Sequence, residues 1–210
     1  FSKEVINEAK SVSLEPISLK YRRDLRDQEV FTIDGEDAKD LDDAVCVKKL
    51  SDGNYELGVH IADVSHYVRE NTEINKEAVN RSTSVYMLDR VIPMLPVELS
   101  NGCCSLNEGV DRYAMSCVMK INKRGDVIDA DVFKSVINVT KRMNYHEVQV
   151  DIDRNNEEIV SQYDDEKKNY AKDNIAADEK YLNHLDLMAE LAHILKNRRI
   201  EKGYLSLNIP

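Results

Sequence analysis

Apolar positions recur at two different periods along this chain, and the changes of period mark its elements. Over 44–48 and 55–61 apolar and polar residues alternate, which predicts two strands, and Ser51-Asp52-Gly53-Asn54 between them carries the residues of a hairpin turn. A second strand pair is predicted over 113–122 and 127–139, around Lys123-Arg124-Gly125-Asp126. Elsewhere the period lengthens. Residues 2–10 read as a short helix starting near Ser2. Residues 73–82 read as a helix capped by Asn71 or Thr72, with Ile74, Ala78 and Val79 on one face. From about 164 to 199, Tyr181, Leu182, Leu185, Met188, Leu191, Ala192 and Leu195 recur at three- and four-residue steps and give a long helix one apolar face. Gly203, after the basic Lys196, Arg198 and Arg199, is its expected stop.

The remaining segments are less regular. Residues 12–29 hold Pro16 and the basic cluster Lys20-Tyr21-Arg22-Arg23-Asp24-Leu25-Arg26 and predict no element. Pro93 and Pro96 predict an extended loop, 143–150 a short helix or turn, and the charged stretch 151–172 a solvated helix face. Strands and helices mix without strict alternation, so the expected class is α+β, a mixed sheet with flanking helices. The pattern ends on Leu205-Ser206-Leu207-Asn208-Ile209-Pro210, where a strand-like alternation has just begun, and the chain does not open on Met. Both features predict a piece of a longer polypeptide.

Composition narrows the function. With 39 acidic against 29 basic residues the net charge is −10, which excludes a general polyanion binder. Contact with nucleic acid would have to be local, through a basic patch or a bound metal. The four cysteines, Cys46, Cys103, Cys104 and Cys117, form no CxxC pair, and the bland reading is reduced thiols in a cytoplasmic protein. No apolar run approaches the ~20 residues of a membrane span.

The run Ile33-Asp34-Gly35-Glu36-Asp37-Ala38-Lys39-Asp40-Leu41-Asp42-Asp43-Ala44 is the chemical focus. Six of the ten residues from Asp34 to Asp43 are acidic, and apolar stretches frame the run on both sides. Carboxylates crowded beside a core repel one another and lose hydration unless a cation joins them. A hard divalent ion with oxygen ligands is the usual partner, which points toward phosphoryl chemistry. Asp34 should project from a strand end. Asp40 and Asp42 share a side in extended chain while Asp43 points away, so one ion cannot take all four carboxylates in regular structure. The run alone leaves a solvated acidic loop equally open. An EF-hand is excluded, because its sixth position would be Lys39 or Asp42 rather than glycine.

Further motifs accompany the run: Gly58-Val59-His60-Ile61-Ala62-Asp63-Val64-Ser65, Ser84-Val85-Tyr86, Arg90-Val91-Ile92-Pro93-Met94-Leu95-Pro96, and Leu99-Ser100-Asn101-Gly102-Cys103-Cys104-Ser105-Leu106. In this order they resemble the catalytic (RNB) domain of the ribonuclease II / ribonuclease R family, nearer its ribonuclease R branch. The resemblance divides the chain into a lead-in segment, 1–21, and the N-terminal part of that domain, 22–210.

The resemblance implies a processive exoribonuclease that degrades single-stranded RNA from the 3′ end by Mg²⁺-dependent hydrolysis, releasing nucleoside 5′-monophosphates. By position it assigns Asp34 and Asp43 to Mg²⁺ and makes Asp42 the carboxylate closest to the chemical step, through a second metal or the attacking water. Asp40 supports the site. Tyr86 matches a base-stacking tyrosine, and Tyr145, in Arg142-Met143-Asn144-Tyr145, matches another family tyrosine, one placed near the scissile phosphate with a catalytic part. Arg112 is a weaker candidate for an RNA backbone contact; on its own it reads as a salt-bridge partner of Asp111. Leu207 stands where many family members carry a phenylalanine that clamps the bases. The implied partners are single-stranded RNA, the rest of the catalytic domain, and flanking cold-shock and S1-type domains of the same chain, without which this piece should be inactive. Two other readings stay open: an inactive RNA-binding relative, and an acidic Ca²⁺-binding or interaction domain.

Overall fold

The computed structural model describes residues 1–163 and 165–204. The expected strand at 205–209 and the position of Leu207 lie outside the described residues. Seven strands are hydrogen-bonded in the order β1-β8-β7-β4-β3-β2-β9, where β1 is Arg23–Asp24, β2 Phe31–Asp34, β3 Asp43–Lys49, β4 Tyr55–Ala62, β7 Asp111–Ile121, β8 Val127–Asn138 and β9 Lys141–Asn144. β5 (Val85–Tyr86) and β6 (Val91–Ile92) pair antiparallel as a separate ribbon. β1 joins β8 in parallel, whereas the short turns joining β3 to β4 and β7 to β8 permit only antiparallel pairing. The sheet is therefore mixed and, with helices around it, the class is α+β as expected.

Both predicted hairpins form, close to their predicted bounds. Their turns need a left-handed residue, supplied by Gly53 at φ +79° and Gly125 at φ +79°. The surprise in the irregular stretch is β1, whose two residues find a parallel partner in Ser135 and Val136 of β8. Residues 143–150 are also more than a turn. β9 runs into helix α4 (Tyr145–Asp153) through a capping box, in which Asn144 Oδ1 accepts from the Glu147 amide and Glu147 accepts from the Asn144 amide.

The chain divides into two compact units. The first comprises residues 1–44, 60–116 and 132–142, and the second 45–59, 117–131 and 143–210. In the first, helix α1 (Lys3–Ser13) starts at Ser2, whose hydroxyl accepts from the Val5 amide. α1 buries Val5 and Ala9 with Tyr67 of α2 (Val64–Tyr67), Ile74 of α3 (Glu73–Arg81), Leu99, Cys104, Tyr113 and Val136. The lead-in segment is thus part of this unit's core. α3 is capped by Thr72, but Val79, expected on its apolar face, is 68% exposed. Ile74 and Ala78, four residues apart, are enough to seat so short a helix, and Val79 falls beyond the stripe.

In the second unit the long helix α6 (Asp165–Glu201) packs on α4. Its face buries Leu191 with Val47, Tyr55 and Ile121, and Met188 and Leu195 pack against them. Ala192, assigned to that face by spacing, is exposed, because the face is centred on Leu185, Met188, Leu191 and Leu195. Behind 151–172, α5 (Glu157–Ser161) interrupts the expected solvated helix. After α6, the amides of Gly203 and Tyr204 donate to Ile200 and Arg199, closing the last turn. Among the described residues no helix is long and apolar enough to cross a membrane.

One buried ion pair ties the first unit together. Arg22 Nη2 lies 2.6 Å from Asp63 Oδ2, with only 5% and 2% of the two side chains exposed. The guanidinium also stacks 4.1 Å above the Tyr113 ring and donates to the Ser135 carbonyl at 3.3 Å, linking the start of the sheet to α2. Burial pushes the Asp63 carboxyl upward, but hydrogen bonds from Ser65 and Arg22 outweigh it and hold the group below its ordinary 3.8. Asp63→Asn keeps the shape and strands Arg22, so it should cost about 3–5 kcal/mol in denaturant unfolding at pH 7. The native carboxylate binds protons less readily than the unfolded one, so its stabilisation is complete above pH 3.8 and is lost as pH falls through the lowered native value. The gap between wild type and Asp63→Asn should therefore narrow below pH 3.8; a gap that stays constant would remove the charge from the explanation.

Candidate active site

All four predicted acidic positions lie on one short path. β2 carries Phe31 and Thr32 fully into the core and ends on Asp34. The chain turns at Gly35, where the Ala38 amide donates to the Gly35 carbonyl at 3.1 Å, and re-enters the sheet at Asp43, the first residue of β3. β2 and β3 are sheet neighbours, so the loop 35–42 stands at one end of the sheet with an aspartate at each foot.

Three fasteners fix this loop. Leu41 is 0% exposed and acts as a plug under an otherwise hydrophilic run. Its amide donates to Ser105 Oγ at 3.1 Å, and the same hydroxyl donates to the Lys39 carbonyl at 2.9 Å, so Ser105 spans Asp40. Arg142, on β9, donates through Nη2 to the carbonyls of Glu36 at 2.8 Å and Ala38 at 2.7 Å. Neither Ser105 nor Arg142 was among the residues expected at the site. Both lie inside motifs read from the sequence, but a backbone-directed role leaves no compositional trace.

The carboxylates feel one another. The Asp34 carboxyl is pushed up by burial, then by Asp43, with Arg142 opposing and Asp42 and Asp40 adding to the rise. Asp42 is pushed up by the surrounding protein that removes part of its hydration, then by Asp40 and Asp43. Asp34 Oδ2 is buried without a hydrogen-bond partner. An orphaned carboxylate oxygen in a field of like charge is costly, and an oxygen-binding cation would relieve it. The all-oxygen donor set suits a hard ion such as Mg²⁺. Among the described residues no group of three or more His, Cys, Asp or Glu side chains is placed to hold a metal ion.

Beside the loop is a cleft of about 590 Å³ lined by Lys39, Asp40, Tyr86, Val91, Pro93 and Asn101, among others. Tyr86 pairs with Val91 in the β5–β6 ribbon and donates its hydroxyl to Asp40 Oδ2 at 3.1 Å, which pushes the phenol upward. The ring is 68% exposed. The two-residue ribbon leaves it standing in the cleft.

The other candidates are distributed differently. Arg112, on β7, donates to the carbonyls of Ser105 at 2.8 Å, Asp111 at 3.1 Å and Gly102 at 3.2 Å. It is not the side-chain partner of Asp111, which accepts from Arg26 and Asn138 instead. Its nitrogens are spent on the segment that carries Ser105, so it positions the loop's clip. Tyr145 opens α4 in the second unit and is 64% exposed.

A family model described as the RNB domain matches residues 22–210. The chain belongs to this family. It is 47% identical over 205 residues to ribonuclease R 1 of Lactococcus lactis subsp. lactis (strain IL1403), which covers 97% of this chain and 23% of that protein. Mycoplasma genitalium RNase R in complex with double-stranded RNA matches with a TM-score of 0.81 at 30% identity, over 98% of this chain and 34% of that one. The same enzyme in complex with ribose methylated single-stranded RNA gives 0.78 at 28% identity, over 100% and 30%. The chain spans about a quarter of the length of the curated relatives it matches. The resemblance carried by the motifs therefore holds, and the expected mixed α+β sheet agrees with these solved structures.

The site generates one expectation that needs no substrate. In the absence of divalent ions Asp34→Asn should raise the melting temperature by a few degrees, since it removes a desolvated charge from among its like. Added Mg²⁺ should then stabilise wild type, by about 2.7 kcal/mol at a hundredfold excess over its dissociation constant, and the variant much less. Equal Mg²⁺ stabilisation of both proteins would exclude Asp34 as a ligand.

Proposed function

We propose that this RNB domain supplies the acidic part of the active site of a hydrolytic exoribonuclease that degrades single-stranded RNA from the 3′ end to nucleoside 5′-monophosphates. The observation that carries the reading is the four aspartates sharing one electrostatic field, with the Asp34 Oδ2 atom buried and unpaired and Asp40 lining a cleft that holds an exposed tyrosine. Asp34 and Asp43, at the two feet of the loop, would hold Mg²⁺. Bound there, the ion would activate a water and relieve charge on the phosphate. Asp42, whose proton affinity is raised, suits a carboxylate that orients the attacking water and accepts its proton. Asp40 anchors the Tyr86 hydroxyl and so sets the attitude of the ring. Tyr86 would stack on a base near the 3′ end, a contact that every base can make. Tyr145 is the second aromatic proposed near the phosphate, Leu207 the aliphatic substitute for the clamp, and Arg112 a residue that acts through Ser105.

The chain's net charge of −10 opposes RNA, so the cations that draw the strand in belong, in this proposal, to the rest of the catalytic domain and to flanking cold-shock and S1-type domains. Free thiols and the absence, among the described residues, of a membrane-crossing helix support work in the cytoplasm.

In the full-length protein, Asp42→Asn should abolish release of mononucleotides while leaving RNA affinity nearly unchanged, because the amide keeps the shape and loses the anion. Cleavage near the wild-type rate would refute the role given to Asp42, and uncut RNA with lost affinity would make it a binding residue. Tyr86→Ala should weaken retention of short RNA by about 1–3 kcal/mol, and Tyr86→Phe much less. Equal losses from both would transfer the effect from the ring to the hydroxyl that meets Asp40.

A further inference from the structure

The basic cluster at Lys20-Tyr21-Arg22-Arg23 takes no part in the acidic cleft. Its first three residues line a second pocket, of about 300 Å³, within the first unit, together with His66, Tyr113 and Lys134. The pocket shares no lining residue with the cleft beside Asp40. In a chain of net charge −10, three lining residues are Lys or Arg and none is a carboxylate.

The cations outnumber the acids around it. Arg22 is spent on Asp63. Glu15 reaches Arg69 at 3.5 Å and His66 Nε2 at 4.0 Å. His66 is pushed down, by burial first and then by Arg22 and Arg69, and stays neutral near pH 7. No salt bridge is formed by Lys20 or Lys134 among the described residues; Lys134 adds to the positive field felt by Asp63, which it shares with Arg22, and Lys20 stands over the Tyr21 ring, so two ammonium groups line the pocket against one buried carboxylate.

The pocket is built rather than incidental. Its floor is the Tyr113 ring, with the Arg22 guanidinium 4.1 Å above it and the His66 ring centred 4.1 Å away. The Tyr113 hydroxyl accepts from the Ser18 amide at 2.7 Å, which fixes the strand of chain leading to Lys20. At the mouth Tyr21 adopts φ +60°, a left-handed backbone that is uncommon and costly for a bulky residue. This conformation leaves its ring 87% exposed with Lys20 Nζ 5.2 Å from the ring centre. One ammonium group at an exposed aromatic ring, with a second lining the same pocket, matches the two halves of a nucleotide.

We propose that this pocket binds a nucleotide phosphate, with Lys20 and Lys134 as its cations and the Tyr21 ring stacked on the attached base. The phosphate comes either from an RNA strand or from a free mononucleotide, and its capture requires neither a divalent ion nor hydrolysis.

The test measures binding in EDTA, with labelled single-stranded RNA, a nucleoside 5′-monophosphate and inorganic phosphate as separate probes. For Lys20→Ala/Lys134→Ala, RNA affinity should fall about tenfold, and the slope of log affinity against log salt should fall by about 1 to 1.5. Lys20→Glu/Lys134→Glu should weaken binding further. Tyr21→Gly should weaken RNA and mononucleotide binding but not that of inorganic phosphate, without lowering the melting temperature, since glycine accepts the left-handed backbone. Loss of mononucleotide binding in the double-alanine variant identifies a free-nucleotide site; loss with RNA alone identifies a strand site. Binding of all three probes at wild-type affinity and slope by the double-alanine variant would overturn the proposal. Because no turnover is involved, an inactive Asp42→Asn protein should still bind through this pocket, and failure here leaves the reading of the acidic site untouched.

Discussion

Four carboxylates forced to share one end of a sheet set the terms for the first unit. Their mutual repulsion and partial loss of water would drive an unrestrained loop outward, into solvent. What holds it is directed almost wholly at the backbone: the Leu41 plug, the Ser105 hydroxyl across Lys39 and Leu41, and the Arg142 fork on Glu36 and Ala38. These contacts leave the aspartate side chains to respond to what binds. The arrangement stores unfavourable charge, which the proposed cation would relieve.

Support passes outward from the loop in a short chain of contacts. Ser105 is held by Arg112, whose guanidinium also reaches Gly102. Leu99 and Cys104, from the same turn, enter the core that α1 and α3 complete. The N-terminal helix, which looks like an appendage in the sequence, therefore helps to brace the far side of the segment that clips the acidic loop. The buried Arg22–Asp63 pair works in the same unit from another direction, fastening the start of β1 to α2.

Much of this was legible because local rules agreed with the fold. The hairpin turns at Gly53 and Gly125, the Ser2 and Thr72 caps and the stop at Gly203 each carry their own signal, and the structure follows them. Spacing overshot at the margins of apolar faces. Val79 and Ala192 share the period but not the burial, since a helix touching its neighbours along a narrow line has no use for the flanks. In the site, the aspartates announced themselves by crowding, whereas Ser105 and Arg142 act on carbonyls that any residue could offer. Arg112 showed the converse: a cation beside an aspartate suggested an ion pair, and its partners are carbonyls. The left-handed backbone of Tyr21 has no sequence signature, because it is imposed by the fold around it.

The way the acidic loop is fastened also bears on how such a sequence can drift. Glu36 contributes its carbonyl oxygen to the Arg142 fork, and the side chains of Glu36 and Asp37 face solvent. Between Asp34 and Asp43 the identity of those two residues is therefore loosely constrained, but their number is not. Adding or removing one residue would move Lys39, Leu41 and the two feet out of step with Ser105, the core and the sheet at once. The heritable feature of this segment is a length, a fixed interval between two carboxylates, and substitution within it is a far gentler change than insertion.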